Sequence, residues 1–189
     1  MSDEARLAAL VRAAPWFMVA LRAGRELGLA HWCIGAGALR NLVWDALHGH
    51  TQPSALADVD LAYFCERDLT AGRDAALQRR LTDILPGLPW EVTNQAGVHL
   101  WFEAHFGHPV EPLASLEAAV ATWPEPATVV GVWLDERDAL HVIAPHGLDD
   151  LLGLRIRRNP VRVDVQTYRV RCASKRYAER WPRVVVEPV

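Results

Sequence analysis

The 189-residue chain predicts an α/β (α+β) fold, a mixed central sheet flanked by helices. Three observations carry that class. Strand-like and helix-like stretches alternate through the first half. Two β-rich runs, residues 128–134 and 140–144, are separated only by the polar stretch Asp135 to Asp138, which reads as a hairpin and makes part of the sheet antiparallel. Hydrophobic residues make up 51% of the chain, enough for a sizeable core, while the 23% charged residues are ordinary for a globular protein.

Taken in order, residues 3–28 carry apolar side chains near a 3.6-residue period, including Leu7, Val11, Phe17, Leu21 and Leu27. Pro15 divides this stretch into two helices and starts the second, with Gly24 or Gly28 as its stop. The run His31-Trp32-Cys33-Ile34 is a strand entering the turn Gly35-Ala36-Gly37, and a helix follows from Ala38 to His48. Val59, Leu61 and Tyr63 alternate with Asp58, Asp60 and Ala62, a strand with two unlike faces. A helix over 70–85, capped by Asp68 or Thr70, is broken at Pro86-Gly87. Trp90 to Thr93 is a strand and 96–105 a helix. Ser115 caps a short helix, although Glu117 lies too close for a capping box. After the hairpin come a short helix over 147–154, a helical tail over 160–177 and a last strand at 184–186. One domain spans 1–189, with a core of about 25–145 and a C-terminal extension of about 146–189.

The net charge of −3 advertises no nucleic-acid footprint, although arginines gather near 155–158 and 169–183. Cys33, Cys65 and Cys172 are odd in number and widely spaced, so neither a zinc pair nor a disulfide framework can be read from them. Cys33 and Cys65 sit in apolar runs and read as buried thiols. The acidic N-terminus and the interrupted apolar runs predict neither a signal peptide nor a membrane span, and a cytoplasmic protein.

Chemistry gathers at two places. Asp58 and Asp60, two apart on a strand, face the same way, and their mutual repulsion is relieved by a hard divalent cation such as Mg²⁺ or Mn²⁺. Glu91, flanked by Trp90 and Val92, reaches the same point if its strand neighbours theirs, and three carboxylates can hold two metals for phosphoryl transfer. Gly35-Ala36-Gly37 precedes a helix whose N-terminus can meet a phosphate, with Arg40 in its first turn. A turn of this kind also suits a dinucleotide site, but position 40 is Arg where the dinucleotide fingerprint has Gly, and the strand carries two acids rather than one. Asp58 and Asp60 have a plain alternative as a solvated strand face, and Arg40 as an ordinary salt bridge.

The runs Ile34 to Asn41, Val43-Trp44-Asp45, Asp58 to Phe64, Trp90-Glu91-Val92, Trp123-Pro124-Glu125 and Gly147 to Leu151 resemble a bacterial nucleotidyltransferase-like family within the polymerase-beta-like nucleotidyltransferase superfamily. The resemblance covers about residues 15–186. It implies a nucleotidyltransferase fold with Asp58, Asp60 and Glu91 as its metal-binding, catalytic acids. Joined to the reading of the turn, it gives a transferase with Gly35, Ala36, Gly37 and Arg40 at the nucleotide and a nucleoside triphosphate and an unknown acceptor as substrates. The chain departs from the superfamily's usual Gly-Gly or Gly-Ser turn, whose hydroxyl helps hold the triphosphate, and, after the matching run Asn94-Gln95-Ala96, has Gly97-Val98 where family members tend to have Arg-Met. A non-catalytic nucleotide- or partner-binding protein on the same fold, or a phosphohydrolase, therefore stands beside the transferase reading.

Overall fold

The computed structural model describes residues 1–189. Helices α1 (Asp3–Arg12) and α2 (Pro15–Arg25) are divided where the sequence predicts. Ser2 caps α1 by accepting the Ala5 N–H at 3.2 Å, and Pro15 occupies the first turn of α2, where its missing N–H leaves nothing unpaired. Strand β1 (Trp32–Gly35) runs straight into α3 (Ala36–His48), which begins two residues before the expected Ala38 and ends at Gly49 in the left-handed region. Strand β2 (Val59–Tyr63), helix α4 (Ala71–Ile84) and strand β3 (Trp90–Asn94) follow. The helix expected over 96–105 is a 3₁₀ turn, Gln95–Gly97, and then α5 (His99–Phe106).

Helix α6 (Leu116–Val120) starts at Ser115, whose hydroxyl accepts the Ala118 N–H at 3.0 Å without a capping box. Strands β4 (Gly131–Leu134) and β5 (Leu140–Ile143) form the expected hairpin. The Asp135 carboxylate accepts the N–H groups of Arg137 and Ala139 in its turn. The first part of the run expected as strand from Thr128 is instead the end of a 3₁₀ turn, Pro126–Thr128. The chain ends with α7 (Asp149–Leu152), β6 (Arg155–Ile156), α8 (Val165–Lys175), α9 (Tyr177–Arg180) and β7 (Val185–Val186). The tail is thus a helix that starts later than expected, capped by Asp164, followed by a separate turn of helix across Arg176. Strand β6 has only two residues, too few for any periodic signal, and pairs in parallel with β7.

The main sheet has five strands in the order β3-β2-β1-β4-β5. It is mixed: β2 and β3 are parallel, and every other pairing is antiparallel. Because side chains alternate across a strand, each strand divides its residues between two environments. Ile34, Val59, Leu61, Tyr63, Trp90 and Val92 join a core cluster of 34 buried residues that also takes side chains from α1, α2, α3, α7, α8 and α9. Cys33 and Ala62 pack instead with Leu116, Val120 and Val129 in a smaller cluster. Asp60 shares the alternation of Ala62, and Glu91 that of Thr93, so both carboxylates leave the main core and open on the other side of the sheet. No single helix is long and apolar enough to cross a membrane.

Candidate active site

The turn after β1 is shaped by space as much as by conformation. A Cβ on Gly35 would lie 2.4 Å from the Val130 carbonyl oxygen, so only glycine lets β1 run this close to β4. The left-handed residue of the turn is neither glycine but Ala36, at φ 49. Such a backbone is costly for a residue with a Cβ and is characteristic of functional sites. Ala36 donates its N–H to Val130 O at 3.2 Å, which removes one free donor from the start of α3. At Gly37 the nearest atoms to an added Cβ are Arg40 Nη2 and Asp58 Oδ1, both 3.8 Å away. The bare backbone there lies between a guanidinium and a carboxylate.

Asp58 stands one residue before β2 and Asp60 lies within it, so the expected same-face pair straddles the strand's start. Asp60 and Glu91 are direct register partners on the parallel strands β2 and β3. A cavity of about 350 Å³ is lined by Ala36, Gly37, Arg40, Asp58, Asp60 and Glu91 together, while Gly35 lies behind it against β4. The three acids of the sequence argument thus share one opening with the turn. Burial, then the charges of Asp58 and Glu91, push Asp60 up to about 7, against which Lys175 and Arg171 pull it down. Its proton is held by the same repulsion that a cation would relieve.

The acids suit a divalent metal by donor type and by a repulsion that Lys175 and Arg171 only partly offset. They are not drawn into a ready three-ligand cluster. Glu91 is exposed, whereas Asp58 and Asp60 are half-buried. This arrangement fits Mg²⁺ better than a closed cage, because Mg²⁺ uses one or two carboxylates, keeps several waters and completes its shell with substrate phosphates.

Arg40 differs from the surface guanidinium that an ordinary salt bridge would use. It is 3% exposed and lies among the rings of Trp44, Tyr177 and Trp181, at 5.5, 5.0 and 5.8 Å. Its Nη2 donates to Asn41 Oδ1 at 2.7 Å, and its Nε is buried without a partner. Burial holds its pKa below the ordinary arginine range.

Sequence reasoning missed the contribution of α8. Arg171 and Lys175, one helical turn apart on one face, line the same cavity as the acids. Arg171 is fixed by Glu125, with Nε to Oε1 at 2.7 Å and Nη2 to Oε2 at 3.1 Å, and Glu125 is fully buried. The run Trp123-Pro124-Glu125 was visible as a motif, but its partner 46 residues away was not. Gln95, Phe106, Trp123 and Thr128 complete the wall. Among the cysteines, Cys33 is buried as expected, and burial pushes its thiol up to about 12. Cys65 is only half-buried, and a hydrogen bond from the Arg67 backbone helps hold its pKa below the ordinary thiol value.

Residues 22–186 match the family described as Nucleotidyltransferase. The chain belongs to that family. Its structure is similar to one described as a CCA-adding enzyme head domain, determined by NMR, with 26% identity and a TM-score of 0.81 over 100% of this chain and 97% of that one. A CCA-adding enzyme in complex with CTP shares the fold at 13% identity and a TM-score of 0.55, covering 96% of this chain and 43% of that one. A tRNA-processing enzyme does so at 17% identity and a TM-score of 0.51, covering 89% and 44%. This nucleotidyltransferase-family chain therefore spans less than half the length of those two enzymes. No curated protein matches it. The five-stranded mixed sheet with its flanking helices is a nucleotidyltransferase fold, as expected from the sequence.

Proposed function

We propose that the protein moves a nucleotidyl group from a nucleoside triphosphate to a hydroxyl-bearing acceptor, with Mg²⁺ or Mn²⁺ held by Asp58 and Asp60 and completed by Glu91. The observation that carries this reading is the shared lining of one cavity by Asp58, Asp60, Glu91 and the Ala36-Gly37 turn, in a chain of the nucleotidyltransferase family. The acceptor oxygen attacks the α-phosphorus and forms a new P–O bond. The bond from the α-phosphorus to the bridging oxygen breaks, pyrophosphate leaves, and the hydroxyl proton passes to solvent at the open side where Glu91 stands. A bound metal supplies charge neutralisation at the phosphates and acidifies the acceptor hydroxyl. The chain's own part is mainly positioning and fixed charge. Asp58 and Asp60 set the metal relative to the sheet, the α3 N-terminus and Arg40 face the phosphates, and Glu91 marks the acceptor side. The whole chain acts as one unit in this reading, since α8 of the C-terminal part supplies cavity wall. Its three free cysteines suit a reducing cytoplasm. The similarity to a CCA-adding enzyme head domain makes an RNA end the first acceptor to test.

The hydroxyl-free turn favours a second reading, a non-catalytic binder of nucleotide or partner on the same fold. Metal-dependent release of pyrophosphate from a nucleoside triphosphate separates the two. We expect release in the presence of an acceptor, and its loss together with Mn²⁺ and nucleotide binding in the double variant Asp58→Ala/Asp60→Ala. Calorimetric binding that is unchanged in that variant would remove the metal assignment. Nucleotide binding without turnover across RNA, protein and small-alcohol acceptors would favour the binder.

A further inference from the structure

A second chamber, about 800 Å³, shares Gly37 and Asp58 with the first but is not lined by Asp60 or Glu91. Its cationic lining is Arg40, Lys175, Arg176 and Arg180, against the carboxylates Asp58 and Glu179. Two of these four cations are already engaged. Arg176 pairs with Glu179, and Arg180 donates to Ala55 O at 3.1 Å while lying over the Trp181 ring. Two are not. Lys175 pairs with no carboxylate although its neighbours Arg171 and Arg176 both do. Arg40 is 3% exposed, makes one hydrogen bond to a neutral amide and leaves its Nε unpartnered. Arg40 and Lys175 line both chambers, as do Gly37 and Asp58, so they stand at the divide between them. The charge of Glu125 reaches Arg40 but is already paired with Arg171, so no carboxylate contacts this buried cation, and an anion at this point stabilises it.

The start of α3 makes the same demand from the other side. Its turn has no side-chain hydroxyl, and the Ala36 N–H is taken by Val130 O. A phosphate chain arriving there finds fewer donors than the helix start would otherwise give. The break between α8 and α9 is what brings replacements. Arg176 adopts the left-handed region at φ 51, which ends α8 with Lys175 on the cavity and turns Tyr177 under Arg40.

We propose that Lys175, with Arg40, takes over the polyphosphate contact that the hydroxyl-free turn lacks, so that the basic chamber holds the triphosphate tail and the chamber of Glu91, Phe106 and Trp123 is left to the acceptor. The inference rests on the nucleotidyl-transfer reading for its substrate but not for its binding chemistry, and inorganic tripolyphosphate tests the chemistry alone. Calorimetry on the full chain with Mg²⁺ should show tripolyphosphate bound more tightly than orthophosphate. Lys175→Met should weaken tripolyphosphate by roughly ten- to a hundredfold, the size of one charge-assisted hydrogen bond, and Lys175→Arg should restore most of it. As a measurement that needs no variant, amine acylation followed by mass spectrometry should show Lys175 of the wild-type chain protected by tripolyphosphate. Lack of tripolyphosphate binding, unchanged affinity in Lys175→Met, or an unprotected Lys175 would each overturn the assignment. Lys175-dependent binding without pyrophosphate release from any nucleoside triphosphate would leave this site standing and remove the transfer reading. Pyrophosphate release indifferent to Lys175 would do the reverse.

Discussion

Burial and the charges of Asp58 and Glu91 raise Asp60 from the ordinary 3.8 to about 7, and the sign of that shift determines how pH acts on the site. Between about pH 4 and 7 the folded chain keeps a proton on Asp60 that the unfolded chain has released. Stability from this group is therefore full at low pH and falls as pH rises through that window, the reverse of a salt-bridged carboxylate. Cation binding needs the carboxylate bare, so below about pH 7 it must expel the proton, and affinity for Mg²⁺ or Mn²⁺ should weaken as pH falls. Asp60→Asn removes both effects. Its melting temperature near neutral pH should rise, by a gain of roughly 0.5–2 kcal/mol that is typical when a functional site's strain is relieved, and metal-dependent nucleotide binding should be lost. Melting curves of both chains across pH 4–8 check this. A variant with the slope of the wild type would show that Asp60 is not the titrating group.

At the scale of elements, α8 is the part of the site that the sequence concealed, and the reason is physical. Strand β2 was legible because alternation puts Val59, Leu61 and Tyr63 in the core and frees Asp58 and Asp60. Helix α8 buries only Tyr168 fully, so its apolar periodicity is faint, and its ion pair to the rest of the site joins residues distant in sequence. The turn before α3 was legible as a turn, but its left-handed residue is Ala36, which composition would have assigned to a glycine. Arg171, paired with Glu125, lies one helical turn before Lys175 on the cavity side of α8. Glu125 is fully buried, whereas the Arg171 side chain is 30% exposed, so Glu125 depends more on the pair. Arg171→Met strands a buried carboxylate and should cost about 3–5 kcal/mol, with a loss of nucleotide affinity as α8 loosens. The double change Arg171→Met/Glu125→Leu removes the stranded charge and should recover much of the stability without recovering the affinity. Chemical denaturation and calorimetry on the same three proteins separate these outcomes. A single variant as stable as wild type would show that α8 is fastened by its apolar contacts instead.

For the molecule as a whole, the C-terminal segment and the strand-helix core are joined through α3. Trp181 is fully buried, donates its indole N–H to Asp45 Oδ1 at 2.8 Å and meets the Trp44 ring edge-on at 5.3 Å. Asp45 also accepts from the Ser54 N–H at 2.7 Å and hydroxyl at 2.6 Å, which holds the loop before β2 to the same helix. Trp44 in turn donates to Leu151 O at 2.8 Å in α7. One aromatic knot thus supports the α3 end of the site, the loop leading to Asp58 and the elements after residue 145. If this linkage governs folding, the chain should unfold in one step, with far-ultraviolet dichroism, tryptophan fluorescence and loss of Mn²⁺ binding sharing a midpoint. Trp181→Ala should lower stability by about 3–5 kcal/mol, as expected for emptying a buried aromatic site, and move all three midpoints together. A chain cut after residue 145 loses Leu151, Tyr168, Tyr177 and Trp181 from the common core and should not melt cooperatively. Cooperative melting of that fragment at a wild-type midpoint would show that the first part folds alone and that the C-terminal segment serves only the site.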